Sequence, residues 1–229
     1  MTPTWWALAG CAVALGAVGH LTGRELATGG YRIVEDEAVG PPGRVWWTGP
    51  LTAALTVVAV LAVLARTGEW AAVPAFLLLA WLTTGLVWID LDVHRLPVGL
   101  VVPTGAALLV LLVPASLATA DGRWLGALVG ALVMGGVYLL LGIVPGGGVG
   151  GGDVRLAPVL GALLGWLGAD VLVVGLASGF LVGGVAAAAL LALRRVGLRS
   201  HIAYGPAMCL GAWVGVGAGD RILTALLAG

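Results

Sequence analysis

The chain has 229 residues, 60% hydrophobic and only 10% charged, with a mean hydropathy of +1.09; an ordinary water-soluble domain, with about a quarter of its residues charged, is excluded. Eleven arginines balance 11 acids at zero net charge, with no lysine, which leaves no basic field for a nucleic-acid backbone and no Walker phosphate loop. Cys11 and Cys209 lie in apolar stretches near opposite ends, so neither a disulfide scaffold nor a tetracysteine zinc site is available.

A hydrocarbon core about 30 Å thick takes roughly 20 helical residues to cross. Taken in order, the apolar segments cover residues 4–22, 46–65, 70–90, 98–119, 124–144, a shorter 154–167, 171–193 and 202–219. Such unbroken runs predict helices, since barrel strands would alternate apolar and polar residues. The expected fold class is all-α, a polytopic integral membrane helix bundle of about eight transmembrane helices. No basic residue precedes the first segment, so it is expected to be retained rather than removed as a signal peptide.

Arginine placement sets the expected orientation. Loops after the first, third, fifth and seventh segments hold Arg24, Arg32, Arg44, Arg95, Arg155, Arg194, Arg195 and Arg199, while the other side holds only Arg66, Arg123 and Arg221. The positive-inside bias makes the first set cytoplasmic and puts both termini on the extracytoplasmic side. Trp5, Trp6, Trp46, Trp47, Trp70 and Trp124 fall near segment ends, where an indole anchors well at the interface. The chain divides into N-terminal helices with a short cytoplasmic loop, residues 1–69, and a core, residues 70–229.

An acid at membrane depth is a functional candidate by default, and two stand out. Asp90 ends the third segment in WIDLDVHRLP and Asp153 opens the sixth in GGGVGGGDVRLAP, 63 residues further on. The loop assignment puts both at the cytoplasmic mouth. Paired carboxylates of unequal protonation suit peptide hydrolysis: the ionised one activates a water and the neutral one donates a proton, with no metal or cofactor required. The local sequence also admits plainer roles, an N-cap for Asp153 and a pairing with His94 or Arg95 for Asp90. Asp90 and Asp92 stand about 200° apart on a helix, so only one of them points at a given partner and the other is expected to face solvent.

Other chemistries fail on specifics. The glycine run from Gly146 to Gly152 follows an apolar helix rather than the strand that a dinucleotide fingerprint needs. It reads instead as backbone open to close approach, or as plain loop. Ser178, in GLASGF, lacks the glycine two positions earlier expected of a membrane serine protease; His20, His94 and His201 have no metal-ligand spacing.

Three stretches together resemble the type IV leader peptidases, or aspartic prepilin peptidases, membrane proteases with a Gly-x-Gly-Asp motif. Asp90, Leu91, Leu96 and Pro97 match a D-L-x-x-x-x-L-P pattern, which selects Asp90 over Asp92. Gly150, Gly152, Asp153, Val154 and Leu156 match G-x-G-D-V-K-L, with Arg155 in place of lysine; Ile202, Ala203, Tyr204, Gly205 and Pro206 stand where the family has I-P-F-G-P. The resemblance covers about residues 70 to 215. It implies an enzyme of the bacterial inner membrane that cuts the basic leader from type IV prepilins or pseudopilins on the cytoplasmic side, after glycine. Asp90 and Asp153 would be the dyad, with Gly150, Gly152, Pro97, Tyr204, Gly205 and Pro206 shaping the loops. Arg155 would orient a carboxylate, meet an acidic group on substrate, or serve only as a topology anchor. The loop over residues 23–45 lacks the paired C-x-x-C motifs that many members carry, so methylation of the product is not expected. A small proton- or cation-coupled transporter using the same aspartates is the alternative from another class, and a structural membrane subunit is a third. Glycine and alanine rows such as Gly179, Gly183 and Ala187 permit close helix contact, within one chain or between copies.

Overall fold

The computed structural model describes residues 5–32, 43, 45–119, 122–143, 149–193 and 204–228. Eight α-helices make up almost all of it: α1 (Trp5–Leu26), α2 (Thr48–Thr67), α3 (Val73–Val93), α4 (Val98–Thr119), α5 (Arg123–Ile143), α6 (Gly151–Leu167), α7 (Ala169–Ala192) and α8 (Gly205–Leu227). A 3-10 turn, Trp70–Ala72, leads into α3, and no strand occurs among the described residues. Gly146 to Gly148, Arg44, Arg194, Arg195, Arg199, His201, Ile202 and Ala203 lie outside the described residues.

Seven of the helices are long and apolar enough to cross a membrane. The eighth, α6, has 17 residues and spans about 25 Å, less than the roughly 30 Å hydrocarbon core. Two boundaries differ from expectation in a way that matters. Helix α6 begins at Gly151 rather than near residue 154, because the glycines before Asp153 join the helix, and α8 begins at Gly205 and continues to Leu227. Helix α2 stops at Gly68, whose φ of 70° lets its N–H reach back to the Leu64 carbonyl, a left-handed cap that glycine adopts without a Cβ penalty.

Helices α5 and α6, α7 and α8, and α1 and α2 form three tightly packed pairs. In the first, Gly126 and Gly130 of α5 lie directly against the backbone of Gly161 and Gly165 of α6; in the second, Gly175 and Gly179 of α7 meet Gly211 and Gly215 of α8. With lipid competing equally for apolar side chains, such backbone-close contacts drive helix association by dispersion. The α7 glycine row is therefore used inside the chain. Helix α3 sits in the centre: 67% of an 18-residue apolar window within Trp70–Val93 is buried, against 17% of the corresponding window within Trp5–Leu26. Large apolar side chains such as Val110, Leu117, Leu132, Leu140 and Leu181 stand exposed on the periphery, as lipid-facing residues do.

Successive helices alternate direction, so the chain has two ends. At one, Arg66 in the last turn of α2 pairs with Asp170 at the start of α7 at 2.7 Å and lies 3.6 Å from Asp220. Arg123 there donates to the carbonyls of Arg66, Trp166 and Leu167 and lies over the Trp166 ring. The opposite end holds the C-terminus of α3 and the N-termini of α6 and α8, and with them the aspartates.

Candidate active site

The site is assembled from three helix ends. Asp90 lies in the last turn of α3, 4% exposed, and one carboxylate oxygen, Oδ2, accepts a hydrogen bond of 3.0 Å from the Gly205 N–H. Gly205 is the first residue of α8, so its N–H is one of the amides that a helix leaves without an internal partner. The carboxylate is thus the natural occupant of a helix N-terminus, where the dipole also favours negative charge. Pro206 follows within the first turn and costs nothing there, because the amide it lacks would have had no helical partner.

Asp153 lies in the first turn of α6, 6% exposed. Its Oδ2 accepts from the Gly150 N–H at 3.2 Å, so Asp153 is the third helical residue reaching back to the cap and Gly150, not Asp153, is the cap itself. Its other oxygen, Oδ1, is buried without a hydrogen-bond partner among the described residues. Asp90 lies near enough for its charge to act on Asp153.

Leu96 joins the three stretches. A Cβ on Gly152 would stand 2.6 Å from Leu96 Cβ, and one on Gly205 would stand 2.8 Å from Asp90 Oδ2 and 3.4 Å from Leu96 Cδ1. Glycine at both positions is what lets the α6 and α8 ends close on the α3–α4 connector. Within that connector His94 takes a left-handed φ of 50°, and its N–H closes α3 on the Asp90 carbonyl. The Pro97 carbonyl then accepts from Leu100 and Val101 as α4 begins.

Tyr204 precedes Gly205. Its ring packs against the Gly183 backbone, its Oη donates to the Gly179 carbonyl at 3.3 Å, and it adjoins Tyr138 and Phe180 at 5.9 and 6.3 Å between centroids. Among the described residues Arg155 does not reach an acid. Its Nη1 donates to the Gly151 carbonyl at 2.8 Å, and the exposed side chain borders a groove of about 300 Å³ with Leu139, Val149 and Val154.

Asp92 departs from expectation. Instead of facing solvent it is only 10% exposed and forms an ion pair of 2.6 Å with Arg32, and it accepts from the Tyr31 hydroxyl at 2.5 Å. Trp88 donates to that same hydroxyl at 3.0 Å. The roughly 200° between positions 90 and 92 aims one acid at α8 and the other at the segment following α1. Among the described residues no group of three or more His, Cys, Asp or Glu is placed to hold a metal.

One role and one residue were missing from the sequence reading. Gly205 was expected to shape a loop, whereas its backbone N–H is the Asp90 ligand. Tyr138 was passed over, although a lone hydroxyl inside the apolar α5 was a legible signal.

Residues 76–188 match the model of the type IV leader peptidase family. This stretch belongs to that family. It contains both aspartates and the glycines before Asp153. Proteins named prepilin leader peptidase/N-methyltransferase are similar to the chain: one from Aeromonas salmonicida is 34% identical over 174 residues, 75% of this chain and 57% of the relative. Another from Stutzerimonas stutzeri is 32% identical over 154 residues, 67% of this chain and 52% of its own, and one from Pseudomonas aeruginosa is 32% identical over 149 residues, 65% and 50% respectively. The chain thus spans just over half the length of these leader peptidase relatives. No solved structure matches it.

Proposed function

We propose that this protein is a membrane-embedded aspartic endopeptidase that removes leader peptides from type IV prepilins or pseudopilin-like proteins. It cuts after glycine, on the cytoplasmic side of a bacterial inner membrane, and the core at residues 70–229 carries the activity. The observation that carries this reading is the meeting of Asp90 and Asp153 at one end of the bundle, each buried and each bonded to a backbone amide at a helix N-terminus. The names of the relatives supply the substrate class, and the arginine distribution supplies the side.

Hydrolysis needs one acid ionised and one protonated. The ionised carboxylate takes a proton from water as the water oxygen adds to the scissile carbonyl carbon, while the protonated acid hydrogen-bonds the carbonyl oxygen. Collapse of the tetrahedral intermediate breaks the C–N bond, and the departing amine takes a proton from the dyad. Asp153 Oδ1, buried and without a partner among the described residues, is the atom best placed to receive the water. Pro97, Gly150, Gly152, Tyr204 and Pro206 shape the entrance, and Arg155 is assigned to its own helix end. Methyl transfer is not part of the proposed activity.

The test is cleavage of a cognate prepilin by the detergent-purified protein, read by intact mass beside Asp90→Asn and Asp153→Asn. Loss of a leader ending in glycine, abolished in both folded variants, is the expected result. Intact prepilin with a folded parent, or full cleavage by either variant, overturns the reading.

A further inference from the structure

The floor of the site holds a second buried polar group without a partner. Tyr138 of α5 is completely buried, at 0% exposure, and its ring stacks on Phe180 at 5.4 Å and adjoins Tyr204. Its hydroxyl has no partner at hydrogen-bonding geometry among the described residues; the Tyr204 hydroxyl stands beside it. Of the three buried side-chain N or O atoms left in this condition among the described residues, two are Tyr138 Oη and Asp153 Oδ1; the third is Thr56 Oγ1 in α2.

Packing fixes the depth of Tyr138. A Cβ on Gly142 would meet Val154 Cγ2 at 2.9 Å and one on Gly135 would meet Pro158 Cβ at 3.2 Å, so Tyr138, between those two glycines, faces the helical turn that follows Asp153. Its hydroxyl lies 3.8 Å from the Cβ position of Gly179, which packs on Met208, one turn below the Gly205 that holds Asp90. The Asp153 charge also acts on Tyr138.

A buried hydroxyl with no partner destabilises a fold, and phenylalanine would fill the same space without that cost. Here a donor and an acceptor both stand unsatisfied at one site. A peptide carbonyl together with its attacking water satisfies both, the carbonyl accepting from tyrosine and the water donating to aspartate. We infer that the Tyr138 hydroxyl is a substrate-binding donor, a catalytic residue that hydrogen-bonds the scissile carbonyl oxygen and strengthens that bond as negative charge develops on it. The inference rests on the peptidase reading above. A donor whose partner gains charge in the transition state acts on kcat rather than on KM.

The experiment is Tyr138→Phe, assayed on a cognate prepilin with kcat and KM measured separately, and with the melting temperature followed in the same detergent. Expected are a fall in kcat of about 100-fold, a KM close to the parent's, and a melting temperature equal to or above the parent's. A variant with parental kcat overturns the inference. So does a variant that loses activity and melts below the parent, because the hydroxyl then serves the fold. If the parent leaves prepilin uncut, or if Asp90→Asn and Asp153→Asn both still cut it, the peptidase reading falls and this inference falls with it; Tyr138→Phe with full activity beside inactive aspartate variants removes this inference alone.

Discussion

Placing a methyl group on Gly205 perturbs Asp90 without touching its chemistry. The φ of Gly205 is not positive, so alanine is tolerated by the backbone there, and the effect of Gly205→Ala is steric. The added Cβ would stand 2.8 Å from Asp90 Oδ2, 3.4 Å from the carboxylate carbon and 3.4 Å from Leu96 Cδ1. Ordinary carbon contacts begin at about 3.5 Å, so the carboxylate must move by several tenths of an ångström, away from the N–H that it accepts from at 3.0 Å. A hydrogen bond to a charged group contributes about 1.5–3 kcal/mol. If Asp90 must hold this position through the transition state, losing that contribution slows cleavage by about 10- to 100-fold. The assay is steady-state prepilin cleavage, with Gly184→Ala as a control, since a Cβ at Gly184 meets nothing within 4 Å. Gly205→Ala cutting at the rate of the parent and the control would refute the argument that this amide positions Asp90.

Asp92→Ala separates the two neighbouring acids: cleavage persists, whereas Asp90→Asn abolishes it. An Asp92→Ala protein as inactive as Asp90→Asn would contradict the assignment of the dyad. At the α5–α6 crossing, Gly130→Ala drives a methyl into the Gly161 carbonyl and costs about 1–3 kcal/mol by overpacking, seen as a lower melting temperature. Gly136→Ala on the same helix, with open space around it, is neutral or stabilising by up to about 1 kcal/mol; equal melting of the two variants would refute the glycine-packing account. At the far end, Asp170→Ala removes the Arg66 pair, which is only partly buried, and costs about 0–1 kcal/mol with no change in kcat. A large loss of cleavage there would show that this end takes part in the reaction.

The number and order of the helices were legible in the sequence, because an apolar run long enough to cross a bilayer is a local property that needs no knowledge of its neighbours. The candidate acids were legible for the same reason, since Asp90 and Asp153 are costly in such surroundings, and the spacing to Leu96 and Pro97 singled out Asp90 from Asp92. Tertiary structure decided what these residues meet. A helix apolar on every side, as α3 is, carries no stripe to show which face turns toward which neighbour. The approach of Gly205 to Asp90, of Gly152 to Leu96 and of Arg32 to Asp92 therefore depended on how the glycine-packed pairs set the rotation of each helix. The start of α6 moved for a related reason: glycine has little helical preference of its own, and Gly151 and Gly152 joined the helix where Gly150 could cap it through the Asp153 carboxylate. Hydrogen bonding across the bundle likewise left Tyr138 and Asp153 Oδ1 unsatisfied at the floor of the site, a condition that exists only once the surrounding helices have excluded water.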